Sequence, residues 1–294
     1  MHKDYEARNA ERLPPWLKIR LTTSERLGEV RSLIRKNRLH TVCTSAACPN
    51  QTECWNAGTA TFLILGNSCT RSCGFCNVPK GAPQSIETDE PARVASAVEE
   101  LKLTYAVITS VTRDDLPDGG SELFAETIRA IRKRIPLCRV EVLIPDFQGS
   151  ETALHMVLEA NPNVLNHNIE TVPSLYKCVR PQADYGRSIE LLSRAHAFGA
   201  VTKTGIMLGL GEGRKEILSV LQDLRKAGCS LLTIGQYLRP SKNSLPVERY
   251  YHPDEFLELR DQAIAMGFRH VVAGPLVRSS YHAGKHMADS KRDL

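Results

Sequence analysis

From residue 59 onward the chain alternates short apolar runs with amphipathic helical stretches, six times in succession. TFLIL precedes PARVASAVEELK, YAVITSV precedes SELFAETIRAIRKR, and RVEVLI precedes ETALHMVLEA. NVLNHNIET, VTKTGIMLGL and LLTIGQYL continue the series, each followed by its own helical segment. Six consecutive strand–helix units predict parallel strands joined by right-handed crossovers. That number is too small to close an eightfold barrel. The rhythm therefore predicts an α/β fold, a partial and open (β/α)6 parallel barrel, with its functional groups on the loops that follow the strands. At 294 residues and 42% hydrophobic, the chain has the means to bury such a core.

Strands of a parallel sheet covered on both sides should be apolar on both faces. Several of these are not. Period-two alternation puts Asn166, Asn168 and Glu170 on one face of their strand. Glu141 interrupts RVEVLI, Lys203 interrupts VTKTGIM, and Gln236 follows LLTIG. Burying such groups without partners is costly, so they either satisfy one another or line a polar cavity. Their recurrence on separate strands favours the cavity.

The first 58 residues have a different character. SERLGEVRSLIRKNRL carries Leu27, Val30, Leu33 and Ile34 at helical spacing, with Ser24 placed as an N-cap. An irregular stretch, VCTSAACPNQTECWNAG, follows. The chain holds 9 cysteines, an odd number for a disulfide framework, and most of them fall between residues 43 and 76. Such clustering points to metal or redox chemistry in a reducing compartment. CTRSCGFC spaces Cys69, Cys73 and Cys76 as C-x₃-C-x₂-C, and CTSAACPNQTEC spaces Cys43, Cys48 and Cys54 as C-x₄-C-x₅-C. Cys138, Cys178 and Cys229 belong to neither group and read as buried structural thiols.

A structural zinc site closes on four ligands and commonly uses paired C-x₂-C knuckles. Cys73 and Cys76 make one knuckle, and the spaced pair His282 and His286 lies far downstream. An iron–sulfur cluster fits the spacing better. Three thiolates hold three irons of a [4Fe–4S] cube and leave the fourth iron open to another ligand.

The net charge of +5 is mild, and the basic residues concentrate in helix-like stretches such as RAIRKR. They read as solvated helix faces, with no nucleic-acid partner expected. No apolar run reaches the length of a membrane span, and the charged start MHKDYEARNAERLPPWLK lacks the apolar core of a secretory signal. The expected location is cytoplasmic, with no membrane partner.

C-x₃-C-x₂-C after the first strand of a parallel barrel resembles the signature of the radical S-adenosylmethionine superfamily. The resemblance narrows when the rest of the chain is added. ACPNQTECW, VTRDDLPDGG, VEVLIPDF, NHNIETV, KTGIMLGLGE and RSSYHA together resemble the lipoyl synthase family. VTRDDL departs from that pattern by placing Thr112 where an acidic residue is expected.

The resemblance implies two [4Fe–4S] clusters and S-adenosylmethionine as cofactors. Cys69, Cys73 and Cys76 would hold the cluster whose open iron binds S-adenosylmethionine, and cleavage of that sulfonium would give a 5′-deoxyadenosyl radical. Cys43, Cys48 and Cys54 would hold an auxiliary cluster completed by Ser279, the first serine of R-S-S-Y. Phe75 would contact adenine, Thr109 and Ser110 the methionyl amino group, and Asn168 and Glu170 the ribose. Gly205 and Gly209 would belong to the S-adenosylmethionine-binding segment GIMLGLGE. The implied reaction inserts sulfur at C6 and C8 of an octanoyl group on a lysine. The implied partners are octanoylated lipoyl carrier domains (the E2 subunits of 2-oxoacid dehydrogenases and the glycine cleavage H protein) and an electron donor such as ferredoxin or flavodoxin. The domain organisation follows: an auxiliary-cluster segment over 1–58, the barrel over 59–268, and a C-terminal segment over 269–294 that supplies a cluster ligand and closes over the site.

Overall fold

The computed structural model describes residues 13–18, 25–46, 48–56, 60–281 and 283–284. Ser24, His282 and His286 lie outside the described residues. The frame is one sheet of eight strands in strict chain order. They are β1 (His40–Thr41), β2 (Thr61–Ile64), β3 (Tyr105–Ser110), β4 (Arg139–Leu143), β5 (Val164–Asn166), β6 (Thr202–Leu208), β7 (Leu231–Gln236) and β8 (His270–Gly274). β1 pairs antiparallel with β2, and every later pairing is parallel. The six strands expected from the sequence are β2 to β7. Two more flank them. β1 is only two residues long, and β8 is half-exposed along most of its length, so neither carries the apolar run that marks a buried strand.

One face of the sheet packs on helices. Ile108, Val140, Val142 and Leu165 join Val94, Phe124, Ile128 and Val157 in one apolar cluster. Ile206, Leu208, Leu232 and Ile234 join Ile217, Leu221, Leu224 and Leu259 in a second. Residues between these positions point to the opposite face. There Glu141, Asn166 and Lys203 meet from three adjacent strands. Lys203 Nζ donates to both Glu141 oxygens at 2.9 and 3.2 Å. Tyr105 Oη donates to Glu141 at 2.6 Å and Asn166 Nδ2 at 3.1 Å. The Lys203 and Glu141 side chains are each only 1% exposed.

Except at Asn166 Oδ1, which has no hydrogen-bond partner among the described residues, Glu141, Asn166 and Lys203 form a mutually bonded floor instead of lining the open cavity, which corrects the reading of them as cavity residues. Gln236 is likewise structural. Its Nε2 donates to the carbonyls of Leu208 and Arg249, and its Oε1 accepts from Tyr251 N. Cutting one side of the floor is costly, because the remaining charge stays buried. Lys203→Met is expected to destabilise the metal-free chain by roughly 3–5 kcal/mol in urea unfolding. Adding Glu141→Gln to that variant should recover much of the loss. If Lys203→Met leaves the unfolding midpoint in place, the floor carries no such stability.

Candidate active site

Above the floor, on the same face, lies a cavity of about 810 Å³ lined by Val107, Thr109, Leu143, Gly205, Met207 and Thr233 from β3, β4, β6 and β7. All six cysteines of the two triads line it, as does Ser279.

The first triad sits on the loop after β2. Main-chain bonds from Cys69 N to Pro79 O (2.8 Å) and from Gly74 N to Val179 O (2.9 Å) fold this loop back on itself and against the segment after β5. The loop also meets the segment after β7, where Leu245 N donates to Gly74 O at 2.9 Å. A Cβ on Gly74 would stand 2.8 Å from the Leu245 side chain, so glycine eases that approach. Thr112 bonds this loop through its backbone. Its N–H approaches Cys69 Sγ at 3.3 Å, and its carbonyl accepts from Thr70. The main chain makes these contacts, so the departure from an acidic residue at Thr112 leaves them intact.

The second triad comes from two short helices, Val42–Ser45 with Cys43 and Gln51–Asn56 with Cys54, and from Cys48 in the connection between them. Thr41 caps the first by accepting from Thr44 N, and Cys48 N donates to Cys43 O at 3.0 Å. The C-terminal segment that carries Ser279 is tied to the residues around this triad. Asn50 Nδ2 donates to Leu276 O at 2.6 Å, and Tyr281 Oη donates to Glu53 at 2.9 Å. Asn50 is itself buried.

Burial pushes the Cys76 thiol up to about 11 and raises Cys43, Cys48 and Cys73 as well. At neutral pH these metal-free thiols keep their protons, so metal uptake must release them. Among the described residues, no three His, Cys, Asp or Glu side chains converge as they would on a single metal ion. A cubane spreads its thiolates over separate irons, so this arrangement does not conflict with cluster ligands.

The remaining expected residues divide. Phe75, Thr109, Ser110, Asn168, Glu170 and Gly205 all line the cavity. Ser110 Oγ and Asn168 Oδ1 are buried with no hydrogen-bond partner among the described residues. Asn168 Nδ2 donates to Glu170 at 3.0 Å, and Thr109 Oγ1 donates to Leu143 O at 2.9 Å. A Cβ on Gly205 would stand 2.9 Å from both Asn168 Oδ1 and Thr233 Oγ1. Gly209 is not part of the cavity wall. It turns the chain at φ +106°, where a Cβ would lie 2.5 Å from Arg249 O, and its N–H donates to Glu212. Its role is thus a turn, because that positive φ and the crowding both demand glycine. Cys138 and Cys229 are buried thiols as expected, but Cys178 is exposed.

Three side chains that the sequence reading did not single out also face the cavity. Arg180 is 8% exposed and donates to Asn168 O (2.9 Å) and Tyr176 Oη (3.3 Å). Arg278, the neighbour of Ser279, places a cation opposite Cys48 and Glu170. His167 is fully buried, and burial lowers it to about 4, so it is neutral at pH 7. It bridges Ile144 O and Ser188 Oγ. The arginines sit on loops, where basic residues read as solvated charge.

Residues 63–224 match the family model described as the radical SAM superfamily. A lipoyl synthase of Rubrobacter xylanophilus is 55% identical over 95% of this chain and 88% of its own length. One from Koribacter versatilis is 54% identical over 99% and 96%. The chain belongs to the lipoyl synthase family of radical SAM enzymes. Its fold is also that of more distant proteins. Methylornithine synthase superimposes with a TM-score of 0.53 at 13% identity, covering 86% of this chain and 82% of that one. Streptococcus suis SuiB in its S-adenosylmethionine-bound form gives 0.56 at 10% identity, covering 90% and 57%. Among the described residues, no helix is long and apolar enough to cross a membrane.

Proposed function

We propose that Cys69, Cys73 and Cys76 hold a [4Fe–4S] cluster that binds S-adenosylmethionine, and that Cys43, Cys48, Cys54 and Ser279 hold an auxiliary one. The observation that supports this reading is the convergence of two cysteine triads and one serine hydroxyl on a single cavity. The donor chemistry fits. Each triad offers soft thiolates, and Ser279 adds a hard and weaker oxygen ligand. When bound, these groups supply hydrogen-abstracting radical chemistry and the inserted sulfur.

The rest of the work falls to the chain. Ser110 and Asn168 offer unused polar atoms to the amino and ribose groups of S-adenosylmethionine, and Glu170 adds a buried acceptor beside them. Arg180 offers its cation to the carboxylate. Val42, Val107, Leu103 and Leu143 give the cavity an apolar side suited to an alkyl chain, and their bulk excludes the water that would quench a radical. Ser279 would be a weak oxygen ligand to the auxiliary cluster, easier to displace than a thiolate.

In this reading the sheet curls into a partial barrel over 59–268, with an auxiliary-cluster segment over 1–58. Residues 269–294 form the closing C-terminal segment. The substrate is an octanoyl-lysine on a lipoyl carrier domain, of an E2 subunit or an H protein, and the product carries sulfur at C6 and C8. A ferredoxin or flavodoxin supplies electrons in the cytoplasm. A single-turnover assay with reconstituted protein, reductant, S-adenosylmethionine and an octanoyl-lysine peptide tests it by mass spectrometry. The peptide is expected to gain two sulfurs as two 5′-deoxyadenosines form. Formation of 5′-deoxyadenosine with an unchanged peptide would overturn the substrate and keep the radical chemistry.

A further inference from the structure

Arg71 lies between Cys69 and Cys73, and its side chain turns away from the cavity into a set of charges centred on the buried Asp146, with Asp114 and Arg187 partly exposed. The Arg71 side chain is 4% exposed. Its Nε and Nη2 grip Asp114 as a fork at 2.6 and 2.9 Å, and Nη2 also donates to Asp146 at 2.6 Å. The Asp146 side chain is fully buried and takes Arg187 on its other oxygen at 3.2 Å. Two guanidiniums and two carboxylates thus alternate behind the loop, and their charges cancel. Asp114 follows β3, Asp146 follows β4, and Arg187 belongs to the helix Tyr185–Ala197. The irregular first-triad loop is thereby fixed to three separate elements of the frame. The second triad has a different anchor, through Asn50 and Glu53 to the C-terminal segment.

We propose that Arg71, Asp114, Asp146 and Arg187 are positioning residues dedicated to the first triad, which hold Cys69, Cys73 and Cys76 at the separation that retains its cluster. This rests on the reading that those cysteines bind a cluster. The physical argument is rigidity. Charge-assisted bonds in a buried site are short and directional. A planar guanidinium bridges two carboxylates in one geometry, whereas lysine supplies a single point charge that cannot. Groups that orient metal ligands from behind commonly change metal retention without touching the metal. This anchorage is local to the first triad, so its loss should leave the second untouched.

The test uses the full chain in two backgrounds. One has Cys43, Cys48 and Cys54 replaced by alanine, and the other has Cys69, Cys73 and Cys76 replaced. Each is reconstituted anaerobically and challenged with an iron chelator, and the reduced cluster's EPR spectrum is recorded. Arg71→Lys and Asp146→Asn are expected to release iron from the first-triad background about 10- to 100-fold faster. They should also broaden or shift its EPR signal and weaken the change that S-adenosylmethionine induces. In the second-triad background the same substitutions should leave release and spectrum as in the parent. Arg187→Lys, which keeps a charge on Asp146, should act much more mildly than Asp146→Asn.

Equal acceleration in both backgrounds would mean a general loss of structure and overturn the proposal, as would no acceleration in either. Failure of the underlying reading is visible separately. The first-triad parent, with Arg71 intact, would then take up no iron at all.

Discussion

Replacing Cys69, Cys73 or Cys76 by alanine is expected to halve the iron content and to abolish 5′-deoxyadenosine formation completely. The same change at Cys43, Cys48 or Cys54 should also halve the iron. It should leave 5′-deoxyadenosine formation in place while ending sulfur insertion. The two outcomes differ because the triads share a cavity but not a scaffold. The first is built on the loop after β2 and held to Pro79, Thr112 and Val179. The second is built on two short helices and the connection between them, and is closed by the C-terminal segment. A thiolate cannot be replaced by a methyl group in either. Iron analysis, chromatography of the nucleoside and mass spectrometry of an octanoyl peptide give the readouts. If the second-triad variants stop 5′-deoxyadenosine formation as completely as the first, the proposed division of labour is wrong.

Gly235→Ala is expected to reduce sulfur insertion by about 100-fold, because a shift near 1 Å in a reacting group commonly costs that much. A Cβ at this position would lie 2.1 Å from Val277 O and 3.0 Å from Val277 C. Both are main-chain atoms, so no side-chain rotation relieves the clash. β7 cannot yield easily, since Gly235 is in register with Met207 on one side and Gly274 on the other. The C-terminal segment must therefore move, and it takes Arg278 and Ser279 with it. Cleavage of S-adenosylmethionine should fall far less, which separates this effect from unfolding. Wild-type rates of sulfur insertion in Gly235→Ala would show that Ser279 needs no such placement.

The legible parts of this molecule are those written in local pattern. Alternation of apolar runs and helical stretches found β2 to β7, because each such strand is buried on the helix-facing side and must be apolar there. It could not find β1 or β8, which are short or half-exposed. Close spacing marked both triads as ligand sets. Spacing says nothing about residues brought together across the fold. Ser279 was singled out only by resemblance, and what holds its segment near the second triad is the pair of ties from Asn50 to Leu276 and from Tyr281 to Glu53. Glu141 and Lys203 show the opposite case. The sequence placed polar groups on an inner face, but not that each met its partner from another strand. Arg71, Arg180 and Arg278 went unread for a related reason, since a loop arginine looks solvated until the groups around it are known.

The ties at Leu276 and Tyr281 also set an order of assembly. A chain leaves the ribosome from its N-terminal end, and its early parts fold first. The first-triad loop has its ties from Arg71 to Asp114 and Asp146, and through Asp146 to Arg187, by the time residue 187 has emerged. The second triad is translated earlier still, yet it has no lid and no Ser279 until residues 276–281 arrive. The earlier-translated triad is thus the last to be closed off, and its three thiols wait for their C-terminal cover through most of synthesis. On the proposed reading, those thiols need protection during translation, and completion of their site with Ser279 follows it.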